Sequence, residues 1–220
     1  MTEPRPALLE HLHWLGHDSF LLDQPVVVYL DPWNLPAGSP QADLILVSHD
    51  HYDHCSPDDV ERVRKPETTV VANPSASTKL KAPVQTIRAG ESLQAHGLTI
   101  RAVPAYNIGK RFHPKEAGHV GYVLTIGEER LYFAGDTDAI PEMKDIACDV
   151  ALLPVSGTYV MTADEAVEAL RFLRAKVAIP MHFGAGVAGS VEDAEHFRRK
   201  SPVPVVILQA EKGKQRKSAD

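Results

Sequence analysis

Short apolar runs recur along the whole 220-residue chain and constrain its fold more than any other feature. They are rich in Val, Ile, Leu and Tyr and are separated by Gly, Pro, Asp and Asn, a pattern that predicts β-strands. Gly127-Glu128-Glu129 between two of them predicts a hairpin. The predicted strands are Leu12–Leu15, Val26–Leu30, Leu44–Val47, Thr69–Ala72, Leu98–Val103, Val120–Ile126, Leu131–Ala134, Val150–Leu153, Val177–Pro180 and Val203–Leu208.

Three polar segments carry helix start signals. Ser56-Pro57-Asp58-Asp59 combines a capping serine, a proline at the first helical position and acidic residues in the first turn. Thr162-Ala163-Asp164-Glu165 is a capping box that predicts a helix over Ala166–Ala175, and Ser190-Val191-Glu192-Asp193 resembles it. No Gly/Ser linker divides the chain. We therefore predict one mixed α/β (α+β) domain over residues 1–220, with two packed sheets and helices outside.

Composition narrows the classes of partner. The formal net charge is −6 and 44% of the residues are hydrophobic, which is ordinary for a globular protein and offers no basic face to nucleic acid or anionic lipid. No uncharged run approaches the ~18 residues of a membrane span. The two cysteines make no disulfide framework and the N-terminus lacks a signal-like apolar stretch, so we expect a cytoplasmic protein. The basic composition of residues from about 210 to 220 predicts a flexible tail.

The strongest chemical signal is His49-Asp50-His51-Tyr52-Asp53-His54, directly after the predicted strand Leu44–Val47. A packed core would avoid so many polar groups, whereas imidazole and carboxylate together suit zinc, manganese or iron. In a turn, His49 and His51 can face one ion while Asp53 and His54 face a second. The motif therefore predicts a binuclear metal site.

The His-x-His-x-Asp-His pattern resembles the signature of the metallo-β-lactamase superfamily. Gly135-Asp136-Thr137 and Pro180-Met181-His182-Phe183 follow in the expected order, each after a predicted strand. Trp14-Leu15-Gly16-His17 and Leu30-Asp31-Pro32-Trp33 look like the small stand-alone hydrolases related to ascorbate-6-phosphate lactonase. So do Gly135-Asp136-Thr137-Asp138 and Pro154-Val155-Ser156-Gly157-Thr158. The resemblance implies a four-layer αβ/βα sandwich with its site at one edge of the sheets.

The resemblance also implies a set of ligands. By the family's pattern, one ion is held by three histidines that include His49 and His51. The other is held by Asp53, His54 and His182, with Asp136 bridging the two ions. Three further residues are expected to orient these ligands by hydrogen bonds without binding a metal themselves: His17, Asp31 and Asp138. His17 fits a plain core role equally well.

The third histidine of the first set is missing from its usual place. The corresponding stretch, Val103-Pro104-Ala105-Tyr106-Asn107, contains no histidine, and His113 and His119 are the available substitutes. We expect His113, because it lies in a loop bounded by Gly and Pro that can reach inward. His119 begins a predicted strand and has less freedom.

The implied reaction is hydrolysis. Two divalent ions, zinc first and manganese or iron as alternatives, would lower the pKa of a bridging water and supply hydroxide at neutral pH. Asp53 is a candidate to orient that water. The substrate would be a small molecule with an ester-type bond, a lactone or a phosphodiester. Cys55 has no free base beside it, so we expect a buried packing residue rather than a nucleophile.

Other functions stay open from sequence. A mononuclear iron oxidoreductase of the thiol dioxygenase type can use the same motif, and a non-catalytic metal-binding sensor would keep the ligands without the reaction. Flavin-linked di-iron relatives usually carry a glutamate where this chain has His51. A nuclease would want a basic surface. The oligomeric state is open, a homo-oligomer included.

Overall fold

The computed structural model describes residues 5–211, whose strands form two six-stranded sheets. In the first sheet, the first three strands along the chain pair antiparallel, and each later strand pairs parallel with the strand before it. In spatial order these are β1 (Leu12–Gly16), β2 (Ser19–Leu22), β3 (Val28–Leu30), β4 (Leu44–Val47), β5 (Thr69–Ala72) and β6 (Gln85–Thr86).

In the second sheet, the first four strands along the chain pair antiparallel, and each of the last two pairs parallel with the strand before it. Its strands, each beside the next, are β7 (Ser92–Ala95), β8 (Leu98–Pro104), β9 (Val120–Ile126), β10 (Glu129–Phe133), β11 (Ala147–Pro154) and β12 (Arg174–Met181). Ile126 pairs with Glu129 across the turn between β9 and β10, which confirms the predicted hairpin.

Three of the helices begin directly after the capping residues Ser56, Thr162 and Ser190, as the sequence predicts. The helices are α1 (Pro57–Val63), α2 (Pro74–Ser77), α3 (Ala163–Ala169) and α4 (Val191–Lys200), with 3-10 turns at Ala7–Glu10, Lys115–Ala117 and Pro141–Asp145. Ser56 accepts a hydrogen bond from the Asp59 N–H, and both capping boxes form. The predicted helix Ala166–Ala175 is wrong at its end, because Ala175 already lies in β12.

The apolar faces of the two sheets meet in one large core, in which Phe20 of β2 and Phe133 of β10 are in edge contact. The opposite face of the first sheet packs against α1 through Val60 and Val63. Helices α3 and α4 contribute Ala166 and Phe197 on the outer side of the second sheet. This helix–sheet–sheet–helix order confirms the predicted mixed α/β sandwich.

The predicted strand Val203–Leu208 is wrong. The segment makes one isolated bridge, between Ala178 and Val205, and does not extend into a ladder. Pro202 and Pro204 lack the N–H that a ladder requires, which explains the short pairing. The predicted basic tail lies, from Lys212 onward, outside the described residues.

Polar residues gather at one edge of the sandwich because several strands end there. His49 follows β4 by two residues, Asp136 follows β10 closely and His182 directly follows β12. The turn between β1 and β2 brings His17 to the same edge. Within residues 5–211, each helix is too short or too polar to cross a membrane.

Candidate metal centre

Two groups of possible metal ligands lie side by side at this edge. In each group, one nitrogen or oxygen from every member lies within 4.8 Å of the others. The first group is His49, His51, His113 and Asp136; the second is His17, Asp53, His54 and His182. All seven residues predicted from the sequence as ligands fall in these groups.

Asp136 faces both groups. Its Oδ2 lies 3.2 Å from His113 Nε2 and 3.4 Å from His182 Nε2, while its Oδ1 lies 3.4 Å from His54 Nε2. Ligand atoms of a tetrahedral zinc ion are about 3.3 Å apart, given bonds of ~2.0–2.1 Å. Asp136 therefore lies at the distance expected between ligands of one cation from histidines of both groups.

A buried hydrogen-bond chain orients the rings of His49 and His54 through their Nδ1 atoms. Asp31 accepts hydrogen bonds from the Ser48 N–H (2.7 Å), the Ser48 hydroxyl and His54 Nδ1 (2.8 Å). Because the Ser48 hydroxyl donates to Asp31, its oxygen accepts from His49 Nδ1 at 2.9 Å. Nδ1 of each ring is thus occupied, and the two Nε2 atoms, which are left to bind a cation, are buried without a hydrogen bond to any described residue.

His113 enters the first group from a closed loop. Its Nε2 lies 3.0 Å from His51 Nδ1, and its Nδ1 can donate to the Tyr159 carbonyl at 3.1 Å. The Asn107 amide donates to the carbonyls of Phe112 and Tyr159, closing the loop from residue 107 to residue 113. These contacts turn the His113 ring towards His51.

His119 lies behind the first group. Its ring stacks on His49 with 4.6 Å between centroids, and its Nε2 is 4.0 Å from Asp50 Oδ1. Burial lowers the pKa of His119 to about 4, so the ring is neutral near pH 7. No group of possible ligands among residues 5–211 includes it. Of the two candidate histidines, the structure brings only His113 into a ligand group.

The three residues expected to orient ligands have different places. Asp31 holds His54, as described above. His17 Nε2 lies 3.1 Å from Asp53 Oδ2 and can donate to it, and its ring packs 4.2 Å from that of His182. Asp138 instead accepts from the Ile108 N–H at 2.8 Å and pairs with Lys110. It therefore anchors the loop that carries His113 rather than a ligand ring.

Four residues of this edge have left-handed backbone conformations. The φ angles are 53° at His17, 40° at Asp31, 55° at His113 and 60° at His182. Such values are uncommon outside glycine and persist where surrounding contacts enforce them, often at functional sites. Their concentration around the two ligand groups favours a functional centre over a surface cluster of histidines.

Charge is concentrated at Asp136 and its neighbours. Burial alone would raise the pKa of Asp136, but His54 and His182 hold it well below its usual range. Burial would lower the pKa of the two histidines, yet Asp136 raises that of His182 to about 9 and that of His54 well above its ordinary value. A cation must displace these protons, so its binding is favoured as the pH rises.

Sequence reasoning missed Asp18. The side chain is fully buried beside His17, and its Oδ2 lies 3.9 Å from His54 Nδ1. It forms a further group of possible ligands with His54 and Asp136. A signal was present, because Asp18 is a charged residue flanked by apolar strands and adjacent to the Gly16-His17 motif.

A cavity of about 460 Å³ opens over the ligand groups. One wall carries the polar ligands and the rest is largely aromatic and aliphatic. The lining residues are Asp50, His51, Tyr52, Asp53, Lys79, Phe112, His113, Asp136, Tyr159, His182 and Val187. The cavity can therefore hold a small molecule against the ligand groups.

Cys55 is buried, and burial raises the pKa of its thiol to about 12, which fits a packing residue.

The chain is similar to known proteins in both sequence and fold. The profile of the Beta-lactamase superfamily domain matches residues 11–182. A UPF0173 metal-dependent hydrolase from Methanoregula boonei is 34% identical over 79% of this chain and 82% of its own length. Another from Methanopyrus kandleri is 33% identical over 89% of this chain and 95% of its own. A crystal structure from Parabacteroides distasonis, assigned as a metal-dependent hydrolase, superposes with a TM-score of 0.80 at 32% identity, covering 90% and 93% of the two chains.

The profile covers every residue of both ligand groups, from His17 to His182. Relatives above 30% identity extend the likeness over most of the chain. The chain therefore belongs to the metallo-β-lactamase superfamily and is a metal-dependent hydrolase.

Proposed function

We propose that this protein holds two divalent metal ions and uses a hydroxide shared between them to cleave an ester-type bond in a small molecule. The observation that carries the proposal is the place of Asp136. It is nearly fully buried and lies within 3.4 Å of histidines from both ligand groups. One carboxylate so placed can bridge two cations, which a mononuclear site does not need.

In this proposal His49, His51 and His113 hold one ion, and Asp53, His54 and His182 hold the other. Two such cations would lower the pKa of a shared water towards neutrality and so supply hydroxide. Asp53, which can accept a hydrogen bond from His17, would orient that water. Three imidazoles in the first set favour zinc there, with manganese or iron as alternatives.

The walls of the cavity support an uncharged substrate. Tyr52 is 68% exposed and Phe112 is 42% exposed at the mouth, where Phe112 makes an edge contact with Tyr159. Lys79 is the lining cation, and its ammonium is already paired with Asp50 at 2.9 Å. The described lining therefore offers a phosphodiester no unpaired lysine or arginine besides the proposed metals. We therefore favour a lactone or another neutral ester with an apolar group over a phosphodiester.

Metal analysis and a substrate screen test the proposal together. Protein purified without chelator should contain close to two equivalents of transition metal, and lactones with aryl or alkyl groups should be turned over faster than phosphodiesters. One equivalent that does not rise on reconstitution would favour the mononuclear iron alternative. Metal binding without turnover of any ester would favour a sensor.

Two further expectations belong to the proposal and rest on the sequence. One is that the chain folds as a single domain, since no linker interrupts it. The other is a cytoplasmic location, in keeping with two free, buried cysteines.

A further inference from the structure

Ser156 contacts the outer side of a histidine of the second ligand group. Its hydroxyl oxygen lies 2.7 Å from His182 Nδ1, and His182 Nε2, at the other side of the ring, lies 3.4 Å from Asp136 Oδ2. A ring nitrogen that binds a cation carries no proton, so Nε2 leaves the ring proton to Nδ1. Nδ1 then donates to Ser156, and this hydrogen bond fixes the rotation of the ring.

Three other histidines of the two groups have the same kind of contact on Nδ1. The partner is a carboxylate for His54, a hydroxyl for His49 and a carbonyl for His113. Outer partners of this kind hold a metal-binding imidazole in one orientation and one tautomer. Ser156 therefore has, for His182, the place that these partners have for the other three rings.

The second sheet brings Ser156 and His182 together. Strands β11 and β12 are parallel neighbours whose last residues, Pro154 and Met181, pair with each other, so the residues that follow leave the sheet side by side. The Val155 N–H donates to the Met181 carbonyl at 3.2 Å, which extends the pairing by one residue. The contact is thus set by two adjacent strand ends.

Gly189 closes the space around this contact. A Cβ atom at residue 189 would lie 2.6 Å from Ser156 Cβ and 3.0 Å from the His182 carbonyl oxygen, and the φ angle of 69° also favours glycine. This close approach leaves the Ser156 side chain little room to move away from His182. Ser156 is therefore held by packing as well as by its hydrogen bond.

We propose that Ser156 is a positioning residue for metal-dependent hydrolysis, whose hydroxyl holds the His182 ring with Nε2 directed at the second ion. The inference rests on the proposed role of His182 as a ligand of that ion. Its effect on the reaction is indirect, because Ser156 is not one of the described residues that line the cavity. Without the hydroxyl the ring would rotate more freely, and the second ion would lose a preorganised ligand.

The test compares Ser156→Ala with wild type and with Ser201→Ala. Ser201 is a matched control, since its hydroxyl is also partly buried and hydrogen-bonded, to Val203, but lies outside both ligand groups and the cavity lining. Zinc binding is measured by competition with a chelator. Ser156→Ala should bind the second ion about 10–100-fold more weakly and the first ion as in wild type. Ser201→Ala should bind both ions as in wild type.

Nuclear magnetic resonance of the zinc-loaded protein with isotope-labelled histidine separates positioning from a general loss of stability. The Nδ1 proton of His182 is buried and hydrogen-bonded, so it should exchange slowly in wild type and rapidly in Ser156→Ala. The ring-proton signals of His49 and His113, which report on the first subsite, should stay. The unfolding midpoint of chelator-treated Ser156→Ala should be close to that of Ser201→Ala, because each variant loses one neutral hydroxyl.

Two outcomes would overturn the role of Ser156 alone, in a wild-type protein that binds two ions. One is that Ser156→Ala keeps its zinc affinity and its His182 ring-proton signal. The other is that it weakens both ions equally and, without metal, unfolds at a lower temperature than Ser201→Ala, which would mean that Ser156 serves only the fold.

Failure of the proposed function gives a different result. Wild type that binds one ion under all conditions, with a His182 ring-proton signal that depends on metal, would overturn the binuclear proposal and leave the role of Ser156 intact. One ion together with a His182 signal that does not depend on metal would overturn both.

Discussion

The two ligand groups differ in how deeply they lie and in the chemistry of their ligands. The first contains His51, which is partly exposed and lines the cavity together with His113. The second is buried throughout, and its His54 has no exposed surface. Carboxylates also surround the second group more closely, since Asp18, Asp31 and Asp53 all lie beside His54.

This difference separates two tasks within one proposed centre. The first subsite presents the partly exposed His51 to the cavity, which Asp53 and His182 of the second subsite also line. The second is held by a buried network of carboxylates, which limits the freedom of its ligands. We therefore expect substitutions near the first subsite to act on one ion, and a change at the shared carboxylate to act on both.

The largest expected effect is that of Asp136→Ala, which removes the group common to both subsites. The variant should lose both ions, because Asp136 lies within 3.4 Å of histidine nitrogens from both ligand groups and its removal takes a ligand from each. Activity should fall by more than the roughly 10–100-fold typical of an outer ligand partner. Metal content and turnover of one active ester measure both results. Wild-type turnover in Asp136→Ala would show that the binuclear mechanism is wrong.

The next effect separates the subsites. His113→Ala should lose the first ion and most of the activity, because its Nε2 lies within 3.2 Å of both His51 Nδ1 and Asp136 Oδ2. His119→Ala is the matched control, since His119 is also buried and also contacts the His49 ring. It should keep two ions. If His119→Ala loses the ion and His113→Ala does not, the two histidines exchange roles.

The sequence predicted the parts of the centre that are local or that follow strands. His49, His51, Asp53 and His54 fall within six residues, so one turn after β4 brings them together. Strands β4 and β5 have the predicted bounds, because continuous apolar runs are characteristic of buried parallel strands. The capping residues likewise located the starts of α1, α3 and α4.

Features that depend on distant contacts were harder to predict. The place of Asp18 depends on the turn that carries it under His54, which a local pattern does not describe. Strands β2 and β7 are four residues each and were missed, since runs this short carry little periodicity. The choice between His113 and His119 could only be favoured by loop composition, because the inward turn of His113 depends on contacts with Asn107 and Tyr159.

The smallest expected effect tests whether the loop from residue 107 to residue 113 supports the first subsite alone. Asp138 accepts from the Ile108 N–H and pairs with Lys110, so Asp138→Asn should loosen the loop and weaken the first ion by about 10-fold, with little change at the second. Asp149→Asn is the control. Asp149 likewise accepts from a backbone N–H, that of Arg130, and pairs with Lys176, but it lies in β11 away from the ligand groups. Chelator competition should show unchanged metal binding in Asp149→Asn. Equal weakening of both ions in Asp138→Asn would instead mean that Asp138 acts on the segment carrying Asp136, and the two subsites would not be separable through this loop.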